Sequence, residues 1–341
     1  MTDLMTSLAA VGGLVLAGVV AHGAWTARKA SPKQGDAPQP RPEPREPVMD
    51  APLAADVGSE PPPPSRRSVP RLDALIDAIA PLTLEAPVGG SLLLAHLPPS
   101  RRAGSKPFLV EGLNAESGEW EPPRADQRYG ELQAGVQLAN RTGALNEIEY
   151  SEFVQKVQAF TEAVGAMADF PDMLDVVARA RELDSFAGEH DAQLAVHLKA
   201  RDTAWSVGYV QQHAARHGFV AGVLPGRMVL PGTEDGAPPV LSLSFDSQAA
   251  LSEHPNQALI RDVTLSFDVP QTDASGQPFA AWQASAQALS LSMDAVVVDD
   301  NGQPLSAEGF ATIGSELGRL YERLESHDLA AGSAAARRLF G

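Results

Sequence analysis

Apolar positions along the chain change period several times, and each change marks an element. Residues 4–25 form an uncharged, mostly apolar run carried by Leu4, Leu8, Leu14, Leu16, Val19, Val20 and Trp25. At about 1.5 Å per helical residue, ~20 such residues cross the ~30 Å core of a bilayer, so the run predicts a transmembrane helix. Leu72, Leu75, Ile76 and Ile79 then recur at helical spacing and predict a short amphipathic helix ending near Pro81. Residues 91–97, 108–114 and 131–139 read as strands between Pro, Gly and charged turns, with Leu132, Val136 and Leu138 as the apolar set of the third. Two helices follow. Residues 147–167 place Ile148, Phe153, Val157, Phe160 and Val164 on one face, and a second helix starts at Pro171 and stops before Gly188.

Alternation sharpens further along. Leu194, Val196 and Leu198 alternate with polar or small residues, the period of a half-buried strand, and residues 205–217 read as a helix ended by Gly218. Strands are predicted at 219–223, 240–245, 260–269 and 296–298, a helix at 279–293, and a turn at Asn301-Gly302. A helix capped by Ser306 continues to about Leu324, with Gly309, Gly314 and Gly318 read as places of close packing, and residues from 326 on read as a loose Ala-rich tail. This order predicts an α+β fold with helices on one face of a mainly antiparallel sheet. Leu241, Leu243, Phe245, Val263, Leu265, Phe267 and Val269 point to the helices, which leaves Ser242, Ser244, Thr264, Ser266 and Asp268 on an open face. Residues 129–167 and 261–293 both run from strand through a Gly-containing turn into a helix, the mark of a divergent duplication or of a generic order.

Charge gives the first segment a direction. Asp3 is the only charged residue before the apolar run, and Arg28, Lys29 and Lys33 follow it, which orients a start-of-chain anchor with its N-terminus outside and the rest in the cytoplasm. A cleaved signal peptide would carry its basic residues in front. Residues 26–70 are rich in proline, charge and small residues and predict a disordered linker of polyproline II character, able to reach on the order of 120 Å. The folded part divides into an additional α+β block at 71–188 and a domain at 189–326.

The formal charge of −17 excludes a nucleic-acid binder, and the absence of cysteine excludes a disulfide framework. Enzyme chemistry is not signalled. There is no phosphate-binding Gly-rich loop and no G-x-S-x-G elbow. His213 and His217 stand four apart without the glutamate of a zinc-protease helix, and Asp299-Asp300-Asn301-Gly302 lacks the spacing of a calcium loop. The expectation is a protein with no cofactor, no metal and no small-molecule substrate.

Three features together resemble the ZipA family of bacterial cell-division proteins: the juncture AHGAWTARK at residues 21–29, the proline-rich linker after it, and the layout of the region beyond. In that region Gly218-Phe219 follows the first helix, TLSFDVP covers residues 264–270, and VVVDD at 296–300 precedes the next helix. The resemblance implies a split β-α-β domain in an inner-membrane tether that binds the C-terminal tail of the tubulin-like division protein FtsZ on the open sheet face. Carried over by strand, the groove positions are Gln193, Ala195, His197, Leu224, Ser244, Thr264 and Ser266. The family has large apolar side chains at several of these places, and this chain has Ser, Ala and Gln. Either the groove is shifted toward Leu224 and Met228 or the tail binds more weakly.

Three function classes follow. The first is a non-enzymatic tether of the division ring at the inner membrane. The second is an interaction module of the same fold with another partner. The third is an exported, membrane-anchored enzyme.

Overall fold

The computed structural model describes residues 71–232, 238–254 and 257–341. The expected anchor, the basic residues Arg28, Lys29 and Lys33, and the linker to residue 70 lie outside the described residues. Within them, no helix is long and apolar enough to cross a membrane. The fold is α+β with antiparallel sheets, in two compact units. The described part of the first unit comprises residues 71–193, Asp268–Gly276 and Ile313–Gly341, and that of the second Leu194–Phe267 and Gln277–Thr312.

In the first unit the chain forms β1 (Asp77–Leu84), β2 (Val88–Gly89), α1 (Gly90–His96), β3 (Arg102–Ala103), β4 (Lys106–Asn114), β5 (Trp120–Glu121), β6 (Arg128–Gln137), β7 (Ala139–Asn140), β8 (Gly143–Ala144), α2 (Glu147–Val164), β9 (Ala166–Ala168) and α3 (Met173–His190). The sheet order is β3-β4-β6-β1-β9. Ala78, Ala80 and Leu82 of β1 lie opposite Val136, Ala134 and Leu132 of β6, and Phe108 and Val110 of β4 extend the same face. That face forms one core with Phe153, Val157 and Phe160 of α2 and Val176 and Ala180 of α3. The start of α2 is fixed by a capping box, in which Asn146 accepts from the N–H groups of Ile148 and Glu149 while Glu149 reaches back to Asn146.

Several sequence expectations are corrected here. Residues 72–81 are not a helix: Asp77 begins β1, because Ala78 and Ala80 alternate with Leu82 as its buried set. Pro81 is tolerated inside this strand because its carbonyl, and so the side where it lacks a donor, faces Asp169, beyond the short β9 ladder. Residues 91–97 are not a strand but most of α1, where Leu93 alone of the three leucines is buried, a helical rather than an alternating pattern. The helix expected from Pro171 is capped by Asp172 instead and runs through Gly188.

The second unit begins within β10 (Gln193–Ala200) and continues through β11 (Trp205–Ser206), α4 (Val207–Arg216), β12 (Val220–Ala221), β13 (Arg227–Leu230), β14 (Leu241–Ser244), α5 (Ser247–Ala250), β15 (Leu259–Ile260), β16 (Asp262–Asp268), α6 (Pro278–Met293) and β17 (Ala295–Val298). Its sheet order is β12-β13-β14-β16-β10-β17. Of the apolar set expected to face the helices, Leu241, Leu243, Val263, Leu265, Phe267 and Val269 are buried, and Phe245, past the end of β14, is half-buried. Trp282 of α6 donates from Nε1 to the Leu265 carbonyl at 3.0 Å and stands edge-on to Phe267. Ser206 caps α4, and Gly218 at φ +86 ends it.

The two sheets share a strand order. In each, the first strand lies between the last long strand before a long helix and the short strand after that helix: β6-β1-β9 around α2 and β16-β10-β17 around α6. The two-residue strand before the first helix also pairs alike, β2 with the start of β6 and β11 with β15 just ahead of β16. The similarity of residues 129–167 to 261–293 therefore belongs to a whole repeated topology.

Beyond β17 come α7 (Ala307–Ser326), with Ser306 Oγ accepting from the Gly309 N–H, and α8 (Ala334–Leu339). Residues from 327 on are not loose, because Ala336, Leu339 and Phe340 are buried. Two of the glycines of α7 do not mark close packing: a β-carbon at Gly318 would meet nothing within 4 Å, and the nearest atoms to one at Gly309 would belong to Leu305 and Ser306 at 3.6 Å or more.

Candidate functional site

The face of the second unit's sheet turned away from α4 and α6 carries two cross-strand rows. In one, Val220 of β12, Val229 of β13, Ser242 of β14 and Ser266 of β16 lie side by side. In the other, Arg227 adjoins Ser244, and Ser244 adjoins Thr264. Thr264 Oγ1 lies 3.2 Å from His197 Nδ1, and His197 pairs in register with Val298 of β17. Ala195 stands two residues back on β10, on the same face as His197. The centre of the face is therefore small and hydroxylic, with valines toward both edges.

The polar groups of this face hold one another in place. Arg227 donates to Ser242 Oγ at 2.8 Å. His197 lies between two carboxylates, Nε2 at 3.0 Å from Asp300 Oδ1 and Nδ1 at 3.4 Å from Asp262 Oδ1. Ser242, Ser244, Thr264, His197 and Val229 are partly exposed, and Ser266 is buried.

At the edge, the β12–β13 hairpin projects Val223 and Leu224. Val223 is fully exposed and Leu224 is 59% exposed. Gly226 permits this turn twice over: its φ is +75, and a β-carbon there would lie 2.5 Å from the Phe245 carbonyl oxygen.

The sequence-predicted positions divide accordingly. Ala195, His197, Ser244, Thr264 and Ser266 share the open face, and Leu224 stands at its rim. Gln193 is exposed at the start of β10. Met228 is a correction: it is 5% exposed and opposite Leu243, so it belongs to the core side. Its neighbours Arg227 and Val229 take the open side. Sequence reasoning missed Arg227, Val229, Val220, Asp262 and Asp300. The Pro225-Gly226 turn ahead of residues 227–230 was the signal that a strand begins there.

The equivalent face of the first unit's sheet is closed by its own chain. Leu72 lies over Gly135, where a β-carbon would come within 2.5 Å of Leu72 Cδ2, and the Leu72 N–H donates to Glu111 Oε1 at 2.9 Å. At the other end, Arg338 of α8 reaches Asp77, and Gln137 Nε2 donates to the Arg338 carbonyl at 2.7 Å.

A second polar cluster in this unit is structural in character. Glu149 accepts from the N–H and hydroxyl of Ser105 at 2.8 and 2.7 Å. Burial opposes its ionisation, but those donors, Asn146 and the charge of Lys106 together hold its carboxyl below the usual range. Lys106 is buried, with Nζ donating to Ser105, Asn140 and Thr142, and burial pushes its ammonium down against the pull of Glu149 and Asp184. Arg141 pairs with Asp191 and Asp268 at 2.5 and 2.6 Å, and hydrogen bonding to the first holds its charge firmly. In the second unit the His213 ring lies 4.2 Å from that of Tyr209, tilted by 36°. Among the described residues no group of three or more His, Cys, Asp or Glu is arranged to hold a metal ion.

No family model matches the chain, and no curated relative matches it. Among solved structures, a variant of berberine bridge enzyme aligns at 11% identity over 75% of this chain and 53% of that one, with a TM-score of 0.16. The match spans about half of that enzyme chain, and a likeness this slight carries no argument about fold or activity.

Proposed function

We propose that this protein is a non-enzymatic tether of the bacterial division ring, anchored in the inner membrane by residues 4–25 and binding the C-terminal tail of FtsZ on the open sheet face of the second unit. The resemblance of the anchor juncture, linker and strand layout to the ZipA family motivates this reading. The observation that carries it is the partly exposed row Arg227, Ser244, Thr264 and His197, beside a hairpin that holds Leu224 in solvent. An extended peptide laid along these rows would find apolar contact at Val220, Val229 and Leu224 and hydrogen-bonding groups between them.

The hydroxylic centre favours a second reading, the same fold serving a different protein partner. Each large apolar contact missing from the groove removes on the order of 1–3 kcal/mol of burial. A titration of the full-length chain in detergent with the FtsZ C-terminal peptide separates the two. Under the first reading the peptide binds, and Leu224→Asp weakens it about tenfold, equivalent to ~1.4 kcal/mol. No binding at millimolar peptide overturns the first reading and leaves the second.

A further inference from the structure

We infer that the first unit carries a peptide-docking site, held shut by residues 333–340 of the same chain, and that it accepts from a partner a helical peptide in which an arginine is followed by two large apolar residues. This inference does not rest on the reading of the other sheet.

The site is built before its occupant is considered. Asp77 and Gln137 face each other across β1 and β6 on the side away from the core helices, and the Asp77 side chain is fully buried. Into this end of the sheet Arg338 sends its guanidinium, donating from Nη1 and Nη2 to the two Asp77 oxygens at 2.8 and 2.5 Å and from Nη1 to the Arg71 carbonyl at 2.8 Å. Gln137 grips the Arg338 carbonyl, and Gln271 Nε2 donates to the Phe340 carbonyl at 2.5 Å. Leu339 and Phe340 are each 1% exposed. A bidentate fork onto a carboxylate selects arginine over lysine, and the two apolar side chains supply the burial.

The occupant is a ligand in its energetics. A helix of six residues is far too short to persist alone in water, so α8 owes its form to the site and to its Ser333 cap. It is set off from α7 by two residues with left-handed backbone, Asp328 at φ +56 and Gly332 at φ +79. When it lifts, water reaches Asp77 and Gln137, so no unpaired charge stays buried and exchange for a competitor is open.

The test uses a fluorescent peptide of residues 332–341, blocked at both ends, and three receptors: the full chain, the full chain with Arg338→Ala, and the chain ending at Ala331. The peptide should bind the last two at least tenfold more tightly than the first. An Arg338→Lys peptide should lose at least tenfold, and Asp77→Asn added to either open receptor should lose as much. Should the shortened chain not fold, the Arg338→Ala chain supplies the open receptor. Absence of binding to a folded open receptor overturns the proposal, as does equal binding of the arginine and lysine peptides or equal binding to open and full chains.

Discussion

Arg338 and Asp77 stand 261 residues apart in sequence and form a two-pronged ion pair at the end of the first sheet. Removing one member of a buried pair usually costs about 3–5 kcal/mol, because the other is stranded. Here α8 can lift and let water reach the survivor, so the cost is capped by the energy of docking α8. Arg338→Ala and Asp77→Ala should each destabilise the first unit by about 3 kcal/mol in urea unfolding, and the double variant should be no worse than either single one. Additive losses would show that the two side chains act independently.

The Glu149 cluster gives the first unit an acid limit. With its folded pKa held below the ordinary value of 4.5, Glu149 contributes stability that is present above that value and lost as pH falls through the lower folded one. Glu149→Gln should therefore cost about 1–2 kcal/mol at neutral pH. The gap from the parent should narrow as pH falls below 4.5, a trend that thermal melts across an acid-to-neutral series would reveal.

The Tyr321 hydroxyl is buried without a hydrogen-bond partner among the described residues, and burial pushes its pKa up to about 12. Deleting it removes a desolvated polar group and little else. Tyr321→Phe should leave the protein equally stable or more stable, by up to about 1 kcal/mol, read as a rise in Tm.

Two glycines should respond in opposite directions to alanine. A β-carbon at Gly90 would lie 1.8 Å from the Arg124 carbonyl oxygen, a backbone atom that cannot step aside, so Gly90→Ala should cost about 3 kcal/mol or more. Gly318 sits inside α7 with open space around it, and Gly318→Ala should gain about 0.5–1 kcal/mol. Comparative denaturant midpoints decide both.

Much of the fold was legible where one face alternates with large side chains, as in β4, β6, β10, β14 and β16, and where a long stripe repeats at helical spacing, as in α2 and α6. Legibility failed where small residues carry the pattern. In β1 the buried set is Ala78, Ala80 and Leu82, while Leu72, Leu75, Ile76 and Ile79, which imitate a helix, are spread over a turn and a strand. Residues 327–341 looked loose because what fixes them, Asp77, is remote in sequence and signals nothing locally. For the open face, β14 and β16 gave the right parity and so the right residues. Met228 was misplaced because Arg227–Leu230 is too short a run to show its own alternation.

The separation of Arg338 from Asp77 also sets a schedule. During synthesis at roughly 5–20 residues per second, Asp77 leaves the ribosome on the order of 10–50 s before its partner. Until then β1 and β6 can pair and bury their core side while the Asp77 end of the sheet stays wet. The first unit therefore reaches its final form after the second has been made, and a chain stalled or cut after β6 and before α8 leaves Asp77 and Gln137 uncovered at an end of the sheet that the finished protein closes.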